Sequence, residues 1–445
     1  MNELEILQLI EEKKYKRLKK VLSDMNEVDI ADILNDLDSN TTLLIFRMLP
    51  KDLAVDVFAH FSTEQQEDII NAVTDKELNY ILDELFFDDM IDMIEEMPSN
   101  VVSKILINST QEERNLINQF LKYPEDSAGS IMTIEYVELK PTMNVKEALA
   151  HLKEIGLNKE TIYTCYVTDT QRKLEGIVSL RKLVISNDDA KITDLMDTEA
   201  VYVYTHDDQE SVANVFVKYG FLALPVVDNE NRLTGIITVD DIMDVIEQEA
   251  TEDFQIMAAM VPSETAYMNT KVTSLAKQRI PWLLVLMLSA TFTGRIINKF
   301  NDVLQAVVIL ASFIPMLMDT GGNSGSQSST LIIRGLATGE INVKDAGKIF
   351  WKEIRIGIIV GLTLAAVNFA RLMLIEKVDP TVALTVSLTL VVTVMIAKMV
   401  GGTLPLLAKK LKVDPALMAG PLITTLVDAI SLMVYFSVAS ALLGL

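Results

Sequence analysis

The stretch "MDTGGNSGSQSSTLIIRG", residues 318–335, decides how the second half of the chain can fold. It continues the apolar run "DVLQAVVILASFIPML" at 302–317, which is long enough for most of a membrane helix. Irregular polar backbone cannot face lipid at that depth, because lipid satisfies no N–H or C=O group. The stretch therefore predicts a membrane segment that faces water or protein.

The glycines of this stretch have two explanations. Small residues allow helices to pack closely, whereas a broken helix exposes its carbonyls to a water-filled path. Close packing alone does not require Asp319, Asn323 and Gln327 beside the glycines. We therefore expect a broken, pore-lining helix, with Gly321 and Gly322 among the pore-lining residues.

Asp428 lies near the middle of the last apolar segment, "DPALMAGPLITTLVDAISLMVYF" at 414–436. An aspartate at that depth costs about 2.5–3.5 kcal/mol on insertion scales, so it is a candidate functional residue. Thr424 and Thr425 lie one turn before it, and Thr424 shares its helix face. The alternative is an internal ion pair between Asp428 and Lys398, which lies deep in the preceding segment.

Five membrane spans are predicted, at about 280–300, 303–336, 354–376, 382–408 and 415–442. The segments on the side of the N-terminus carry ten lysines and arginines near the membrane, against four on the opposite side. That difference follows the positive-inside rule. The sequence thus predicts a multi-pass protein of the cell membrane with cytoplasmic N-terminal domains and an extracytoplasmic C-terminus.

Charge divides the chain sharply near position 275. The part before this division holds 24 basic and 53 acidic side chains, a net charge of −29, while the part after it has a net charge of +6. Such a negative field repels nucleic acid and concentrates cations. The alternative is an acidic surface that only keeps the protein soluble.

Several kinds of chemistry are excluded by composition. The single cysteine, Cys165, allows no intrachain disulfide or cysteine-based zinc site, and the three histidines share no short metal-ligand spacing. The N-terminus lacks the apolar core of a secretory signal. Walker-type loops, nucleophile elbows and metal-hydrolase motifs are missing from the sequence, so we expect no enzymatic activity.

An all-α array of stacked short helices is predicted for residues 1–125. Helix-start signals recur at nearly regular, short intervals, and "TDKE" at 74 and "TQEE" at 110 are capping boxes. Helices this short are stable only when they share a core, as in helical solenoids. The predicted starts are Ser39, Pro50, Ser62, Thr74, Asp88, Pro98 and Thr110.

A second repeat follows, in which "YVTDTQRKLEGIVSLRKL" at 166–183 matches "PVVDNENRLTGIITVDDI" at 225–242 with an offset of 59. Each copy is typical of a strand, a turn, a strand and a helix start. The pattern resembles a tandem pair of CBS domains, here 126–190 and 191–249. In nucleotide-binding relatives the threonine and aspartate of this motif contact the ligand, which implies ATP at Thr238 and Asp241. The first copy has Ser179 and Lys182 instead, and a purely structural pair is the alternative.

The order of these parts resembles the MgtE family of magnesium channels, from about residue 25 to the end. The segments "PMLMDTGGNSGSQSSTLIIRGLATGEI" and "DPALMAGPLITTLVDA" carry the most specific likeness. The resemblance implies a homodimer whose pore is lined by spans two and five, a linking plug helix at 250–278, a membrane domain at 279–445, and Asp428 as the selectivity carboxylate. Lys398 fits a cation path poorly, so we expect it to point away from the pore axis.

Magnesium gives up water reluctantly and is usually held by a few carboxylates together with retained waters. The membrane segments offer oxygen ligands and neither histidine nor cysteine, which disfavours softer metals. The predicted pore residues are Asp319, Gly321, Gly322, Asn323, Gln327, Thr424, Thr425 and Asp428.

Regulation by cytosolic Mg²⁺ is predicted from the acidic segment at 240–253 and nearby acidic surfaces. Without cations these carboxylates repel one another, and bound Mg²⁺ would stabilise a compact, closed state. The alternative is a solvated acidic surface. The predicted regulatory ligands are Asp88, Asp89, Asp92, Asp228, Asp240, Asp241, Asp244, Glu247, Glu249, Glu252 and Asp253.

Two other functions remain open from the sequence. The same fold could conduct Co²⁺ or Mn²⁺, or the protein could be a non-conducting, membrane-anchored nucleotide sensor. Asp428 and the glycine stretch argue against the sensor, because a membrane anchor requires neither. The expected partners are Mg²⁺, the lipid bilayer and a second copy of the chain, and no nucleic acid.

Overall fold

A computed structural model of the chain describes residues 3–263, 267–268 and 270–444. It divides into two compact units, Met1–Asp244 and Val245–Leu445. The first unit holds a helical array followed by two small sheets, and the second unit holds long apolar helices. The predicted multidomain fold class is therefore confirmed.

Ten short helices form the first part of the chain. Phe46, Phe58 and Phe61 meet in its core with ring centroids 6.1 to 6.5 Å apart. The helices are α1 (Glu3–Glu11), α2 (Tyr15–Leu22), α3 (Glu27–Asn35), α4 (Ser39–Phe46), α5 (Lys51–Ala59), α6 (Thr63–Ala72), α7 (Asp75–Glu84), α8 (Phe87–Glu96), α9 (Ser99–Asn108) and α10 (Gln111–Phe120).

Helix starts follow the sequence signals closely. Thr74 and Thr110 form capping boxes with Glu77 and Glu113, in which each side chain accepts a hydrogen bond from the other residue's backbone N–H. Ser39 is the first residue of α4, one position after its cap. Three further predicted starts are N-cap residues: Pro50, Ser62 and Pro98.

The predicted start at Asp88 is wrong by two positions. Helix α8 begins at Phe87 and its N-cap is Phe86, so Asp88 lies in the first turn and is buried. Acidic residues are favoured in the first turn because they face the positive end of the helix dipole. An aspartate near a helix start can therefore mark the first turn of the helix instead of its N-cap. Asp88 and Asp92 consequently share one face of α8.

Two three-stranded sheets follow, each with its first two strands parallel and its last two antiparallel. The elements are β1 (Val137–Leu139), α11 (Val145–Ile155), β2 (Thr164–Thr168), β3 (Leu174–Ser179), α12 (Leu180–Ile185), α13 (Ile192–Leu195), β4 (Val203–Tyr204), α14 (Gln209–Tyr219), β5 (Ala223–Val227), β6 (Leu233–Thr238) and α15 (Val239–Met257). Strands β5 and β6 repeat β2 and β3 at the offset found in the sequence, which confirms the repeat.

The segment that connects the sheets to the membrane helices differs from the expected linking helix at 250–278. Helix α15 starts directly after β6 and ends at Met257, and the next helix begins at Val272. Residues 267–268 form a turn. Residues 264–266 and 269, which were also expected to be helical, lie outside the described residues.

Long helices make up the rest of the second unit. Four stretches in the described chain are long and apolar enough to cross a membrane: Val272–Lys299, Val343–Glu376, Pro380–Lys410 and Pro415–Leu443. The helices are α16 (Val272–Lys299), α17 (Asn301–Ala306), α18 (Ile314–Ala337), α19 (Ala346–Arg371), α20 (Pro380–Lys410) and α21 (Gly420–Leu443). Helix α18 has 24 residues and contains the polar stretch.

The expectation of a helix broken at the glycines is wrong. Helix α18 runs without interruption through all of them, and the irregular backbone lies before it, at Val307–Phe313. There the Tyr435 hydroxyl donates to the Leu310 carbonyl at 2.9 Å, which satisfies a group outside regular helix. The glycines instead permit close packing: a Cβ on Gly401 would lie 2.1 Å from the Gly325 carbonyl oxygen.

The substitution Gly401→Ala should destabilise the membrane unit by about 1–3 kcal/mol, because its methyl group would force α18 and α20 apart. Thermal unfolding of the full-length protein in detergent measures the effect. Gly294→Ala is the matched control, since nothing lies within 4 Å of a Cβ at that position on α16. Equal melting temperatures for the two variants would contradict the packing role.

Candidate functional site

One face of α18 carries the polar residues of the opening stretch. Asp319, Asn323 and Gln327 are spaced four positions apart and are exposed, and the Asn323 amide donates to the Asp319 carboxylate at 3.1 Å. Gly321 and Gly322 are buried on the other side, against α20 and α21. The predicted pore residues on α18 are thus separated into a polar exposed face and a buried packing face.

Helix α21 contributes Asp428, which is half-buried, and two threonines. The hydroxyls of Thr424 and Thr425 donate to the Pro421 carbonyl at 2.9 and 2.8 Å, so each hydroxyl oxygen can still accept a hydrogen bond. A Cβ on Gly322 would lie 2.9 Å from the Thr424 methyl group, which shows how closely α18 and α21 approach.

Two carboxylates therefore share this region of the second unit. Asp319 on α18 and Asp428 on α21 carry like charges on two helices that approach closely at Gly322 and Thr424, so they repel each other. A cation held between the two carboxylates would relieve that repulsion. With the amide of Asn323 beside them, the arrangement suits a cation that keeps its water shell.

Lys398 does not pair with Asp428 in the described chain. Its ammonium group donates to the side-chain carbonyl of Gln327 at 3.1 Å, and its side chain is buried. The alternative of an internal Asp428–Lys398 ion pair is therefore wrong. Lys398 is therefore buried behind the polar face of α18 and contacts that face through Gln327.

A second candidate site is a cavity of about 510 Å³ in the first unit. Among the residues that the structure describes, eleven carboxylates and no lysine or arginine line it, so it is strongly electronegative. Six of them are predicted Mg²⁺ ligands: Asp88, Asp89, Asp92, Asp240, Asp241 and Asp244. Five were not predicted: Glu96 lies on α8 with three of the predicted residues, and the other four come from separate elements, Glu27, Asp56, Glu84 and Glu160.

Burial and repulsion from neighbouring carboxylates raise the pKa of several of these groups. Burial, followed by repulsion from Asp241, raises the pKa of Asp88 well above its ordinary value. Burial and the charges of Asp241 and Asp240 raise the pKa of Glu160 to about 7, and burial raises the pKa of Asp241 to about 6. A bound cation would offset this repulsion, so the cavity favours cation binding.

No three carboxylate, histidine or cysteine side chains are close enough to form a direct metal-coordination cluster in the part of the chain that the structure describes. The cavity is instead wide and lined by oxygen atoms. Mg²⁺ usually retains several waters in proteins, and such an ion is held through its waters by surrounding carboxylates.

The remaining predicted regulatory residues lie elsewhere. Asp228 pairs with Arg232 at 2.7 Å in the turn between β5 and β6. Burial and repulsion from Asp414 raise the pKa of Asp253 to about 6 near the end of α15. Glu247, Glu249 and Glu252 lie on the same helix, outside the set of residues that line the cavity.

The last turn of α15 lies against the membrane helices of the second unit. Ile256 and Met257 pack on Ile333 of α18, together with two alanines of the segment that precedes α21, Ala416 and Ala419. A Cβ on Gly420 would lie 3.0 Å from the Met257 carbonyl oxygen. The end of α15 therefore contacts the ends of the two helices that carry Asp319 and Asp428.

The sheet region offers two different surroundings for a nucleotide. The Thr238 hydroxyl donates to Asp241 at 2.5 Å at the start of α15, and Asp241 lines the acidic cavity. A separate cleft of about 360 Å³ is lined by residues that include Tyr163, Ser179 and Arg181. An aromatic ring, a hydroxyl and a guanidinium group suit a base and its phosphates.

Known protein families match successive parts of the chain from residue 25 to residue 438. Residues 314–438 match the MgtE model, described as a divalent cation transporter, residues 25–126 match its intracellular N domain, and residues 128–186 and 192–248 match CBS domains. The magnesium transporter MgtE of Thermus thermophilus is 37% identical over 436 residues, which cover 96% of this chain and 95% of that protein. The chain belongs to the MgtE family. The resemblance inferred from the sequence is thus confirmed.

Other MgtE relatives agree. The magnesium transporter MgtE of Bacillus subtilis is 34% identical, covering 98% of this chain and 96% of that protein. The crystal structure of the soluble part of a magnesium transporter is 30% identical with a TM-score of 0.52, covering 56% of this chain and 98% of that chain. The crystal structure of the cytosolic domain of the Mg²⁺ channel MgtE in complex with ATP is 33% identical with a TM-score of 0.52, covering 55% of this chain and 100% of that chain.

This MgtE-family chain contains functional candidates that sequence reasoning missed. The acidic cavity joins residues from α3 to α15, and its members are too distant in sequence to share a motif. Glu353 of α19 is buried beside α18. It was missed because it lies at the end of an apolar segment, where a glutamate is usually at the membrane interface. The acidic segment at 240–253 and the run Asp88, Asp89 and Asp92 signalled six of its members beforehand, whereas the other five carry no local signal.

Proposed function

We propose that this protein is a magnesium-selective cation channel or transporter of the cell membrane, in which Mg²⁺ passes along the polar face of α18 and α21. The observation that carries the proposal is Asp428, half-buried in an otherwise apolar helix and within electrostatic reach of Asp319. Membership of a divalent cation transporter family and the names of its relatives support it. The activity is transport, with no catalytic residues.

The path would lie between two copies of the chain. Asp319, Asn323 and Gln327 are exposed in the single chain, although they lie in a membrane segment. Polar and ionisable side chains in membrane segments face a protein interior or a water-filled cavity rather than lipid. A homodimer that joins these faces would satisfy that requirement and enclose one water-filled pore.

Magnesium is favoured over other divalent cations by the ligands on this face. They are carboxylate, amide and hydroxyl oxygens, which suit a hard, hydrated ion. The alternative is conduction of Co²⁺ or Mn²⁺, which the same oxygen atoms would also bind, with less discrimination between the ions. The positive-inside distribution of lysine and arginine supports cytoplasmic N-terminal domains and an extracytoplasmic C-terminus.

Asp428→Asn should lower Mg²⁺ uptake into proteoliposomes about tenfold, which corresponds to about 1.4 kcal/mol of lost attraction. The amide keeps the shape of the side chain but removes the fixed charge. Asp302→Asn on α17 is the matched control, because Asp302 is exposed and lies outside the polar face. Normal uptake and selectivity in the Asp428 variant would exclude the role, and absence of any divalent flux in the wild type would favour a non-conducting sensor.

Closure by cytosolic Mg²⁺ is the second part of the proposal. The first turn of α15 lines the acidic cavity with Asp240 and Asp241, and the last turn of the same helix packs beside Ile333 of α18. Mg²⁺ bound in the cavity would favour one position of α15 over others by its differential affinity. Helix α15 would then act as the plug that closes the pore.

Limited proteolysis of the full-length protein tests this regulation. Cleavage between positions 258 and 275 should be slowed several-fold by millimolar Mg²⁺ relative to chelator, because bound ions hold α15 in place. Replacing Asp88, Asp92 and Asp241 together by Asn should abolish the difference. The control replaces Asp24, Asp32 and Asp189, which are exposed and outside the cavity, and should keep it. Identical cleavage of the wild type in both conditions would rule out the cavity as the sensor.

ATP is proposed to bind the CBS pair in the cleft beside Arg181 rather than at Thr238 and Asp241. The acidic cavity around Asp241 would repel phosphates, whereas Arg181 would attract them. The ATP complex of the related cytosolic domain supports a nucleotide site in this part of the family.

Binding of a fluorescent ATP analogue to the full-length protein distinguishes the two places. Arg181→Ala should weaken binding about tenfold through loss of a charge-assisted contact. Lys182→Ala, on the same helix but outside the cleft lining, should leave it unchanged. Weakened binding in Asp241→Ala with full binding in Arg181→Ala would restore the original assignment, and no binding in the wild type would leave the CBS pair without a nucleotide.

A further inference from the structure

Two oppositely charged side chains are buried between the membrane helices and take no part in the functions described above. Glu353 of α19 is 7% exposed and Lys398 of α20 is 5% exposed. Ionisable residues inside a membrane domain are rare and usually have a functional reason. A buried charge without compensation is strongly unfavourable, so each of these groups requires a partner.

Both groups are anchored on adjacent residues of α18. The Lys398 ammonium donates to the side-chain carbonyl of Gln327 at 3.1 Å, and the Ser328 hydroxyl donates to the Glu353 carboxylate at 2.6 Å. Among the described residues the two groups form no direct ion pair, but Glu353 packs against Gly402, one turn from Lys398 on α20, so their opposite charges attract at longer range. The two charges thus meet α18 at consecutive positions, directly behind its polar face.

The packing around Glu353 indicates a built site. A Cβ on Gly402 would lie 2.6 Å from the Glu353 Cγ atom, so glycine at that position makes room for the glutamate side chain. Gly402 lies one turn from Lys398 on the same helix. Helix α20 therefore supplies both the cation and the space for its counter-charge.

Gln327 transmits the effect of this pair to the ion path. It is exposed on the same face as Asp319 and Asn323, and its carbonyl oxygen is held by Lys398. An uncompensated ammonium group behind it would raise the electrostatic barrier for every cation. Because electrostatic energy scales with ionic charge, the barrier for a divalent ion would rise twice as much as for a monovalent ion.

We propose that Glu353 and Lys398 form a charge-compensating pair in which Lys398 orients Gln327 and Glu353 cancels the lysine's positive charge, so that the pair sets the preference of the path for divalent over monovalent cations. The two are positioning residues that act through Gln327. The inference rests on the proposed conduction along α18 and α21. It assigns a role to the lysine that otherwise fits a cation path poorly.

Flux measurements in proteoliposomes of the full-length protein test the pair, with Mg²⁺ and K⁺ measured in parallel. Glu353→Gln keeps the shape of the side chain and its hydrogen-bond acceptor but leaves the lysine charge uncompensated. It should lower Mg²⁺ flux about tenfold and K⁺ flux only about threefold, as the twofold difference in charge requires. Glu340→Gln, an exposed carboxylate after α18, is the matched control and should change neither flux.

Two further variants separate compensation from a structural effect. Lys398→Met leaves the glutamate charge alone and should raise the ratio of Mg²⁺ to K⁺ flux. The double variant Glu353→Gln with Lys398→Met should return that ratio to within about twofold of the wild type, since it is neutral again. A purely structural pair would instead give equal losses of both fluxes and no recovery in the double variant.

Each outcome has a defined meaning. The proposal would be overturned if folded Glu353→Gln lost Mg²⁺ and K⁺ flux equally or lost neither, so that the flux ratio stayed unchanged. It would also be overturned if the double variant showed no recovery of the ratio. If Glu353→Gln does not fold, Lys398→Met alone tests the proposal. An unchanged or lower ratio of Mg²⁺ to K⁺ flux in that variant would then overturn the proposal. Absence of Mg²⁺ flux in the wild type would instead remove the proposed function itself, so the two failures are distinguishable.

Discussion

The close contact of α18 with α20 is the constraint on which the membrane unit depends. A Cβ on Gly401 would lie 2.1 Å from the carbonyl oxygen of Gly325, so neither helix can carry a side chain there. This contact fixes the rotation of α18. With its glycines turned inward, Asp319, Asn323 and Gln327 are turned outward. One packing requirement therefore decides which residues are available to an ion.

Charge compensation governs the polar groups that this packing leaves behind. Asp319 on the outward face of α18 and Asp428 on α21 carry like charges that repel each other, and a cation between them would relieve that repulsion. Behind the face, Glu353 and Lys398 have opposite charges and are each bonded to α18. In the first unit, the acidic cavity has carboxylates with raised pKa values and no lysine or arginine. In two of these three places like charges lie near one another, and in the third the charges are opposite.

Local signals in the sequence were reliable wherever the physics was local. The capping boxes at Thr74 and Thr110 and the repeated strand pair appear in the structure as expected, because caps and turns depend on residues a few positions apart. The broken helix was wrong for the opposite reason. A glycine in a membrane segment looks the same in the sequence whether it breaks its helix or lets another helix pack closely against it. Only the position of the neighbouring helix distinguishes the two cases.

The sequence by itself determined the family, the order of its parts and four of the predicted membrane segments, since each follows from a specific motif, an internal repeat or a long apolar run. It also singled out Asp428 as a candidate, because an aspartate deep in an apolar segment is costly. Only the tertiary structure decided which carboxylates share the acidic cavity, that Lys398 bonds Gln327 rather than Asp428, and that Glu353 is buried against Ser328 at the next position of α18. These residues come from helices far apart in the chain. Their interactions depend on how side chains pack in three dimensions, which a pattern along the sequence does not contain.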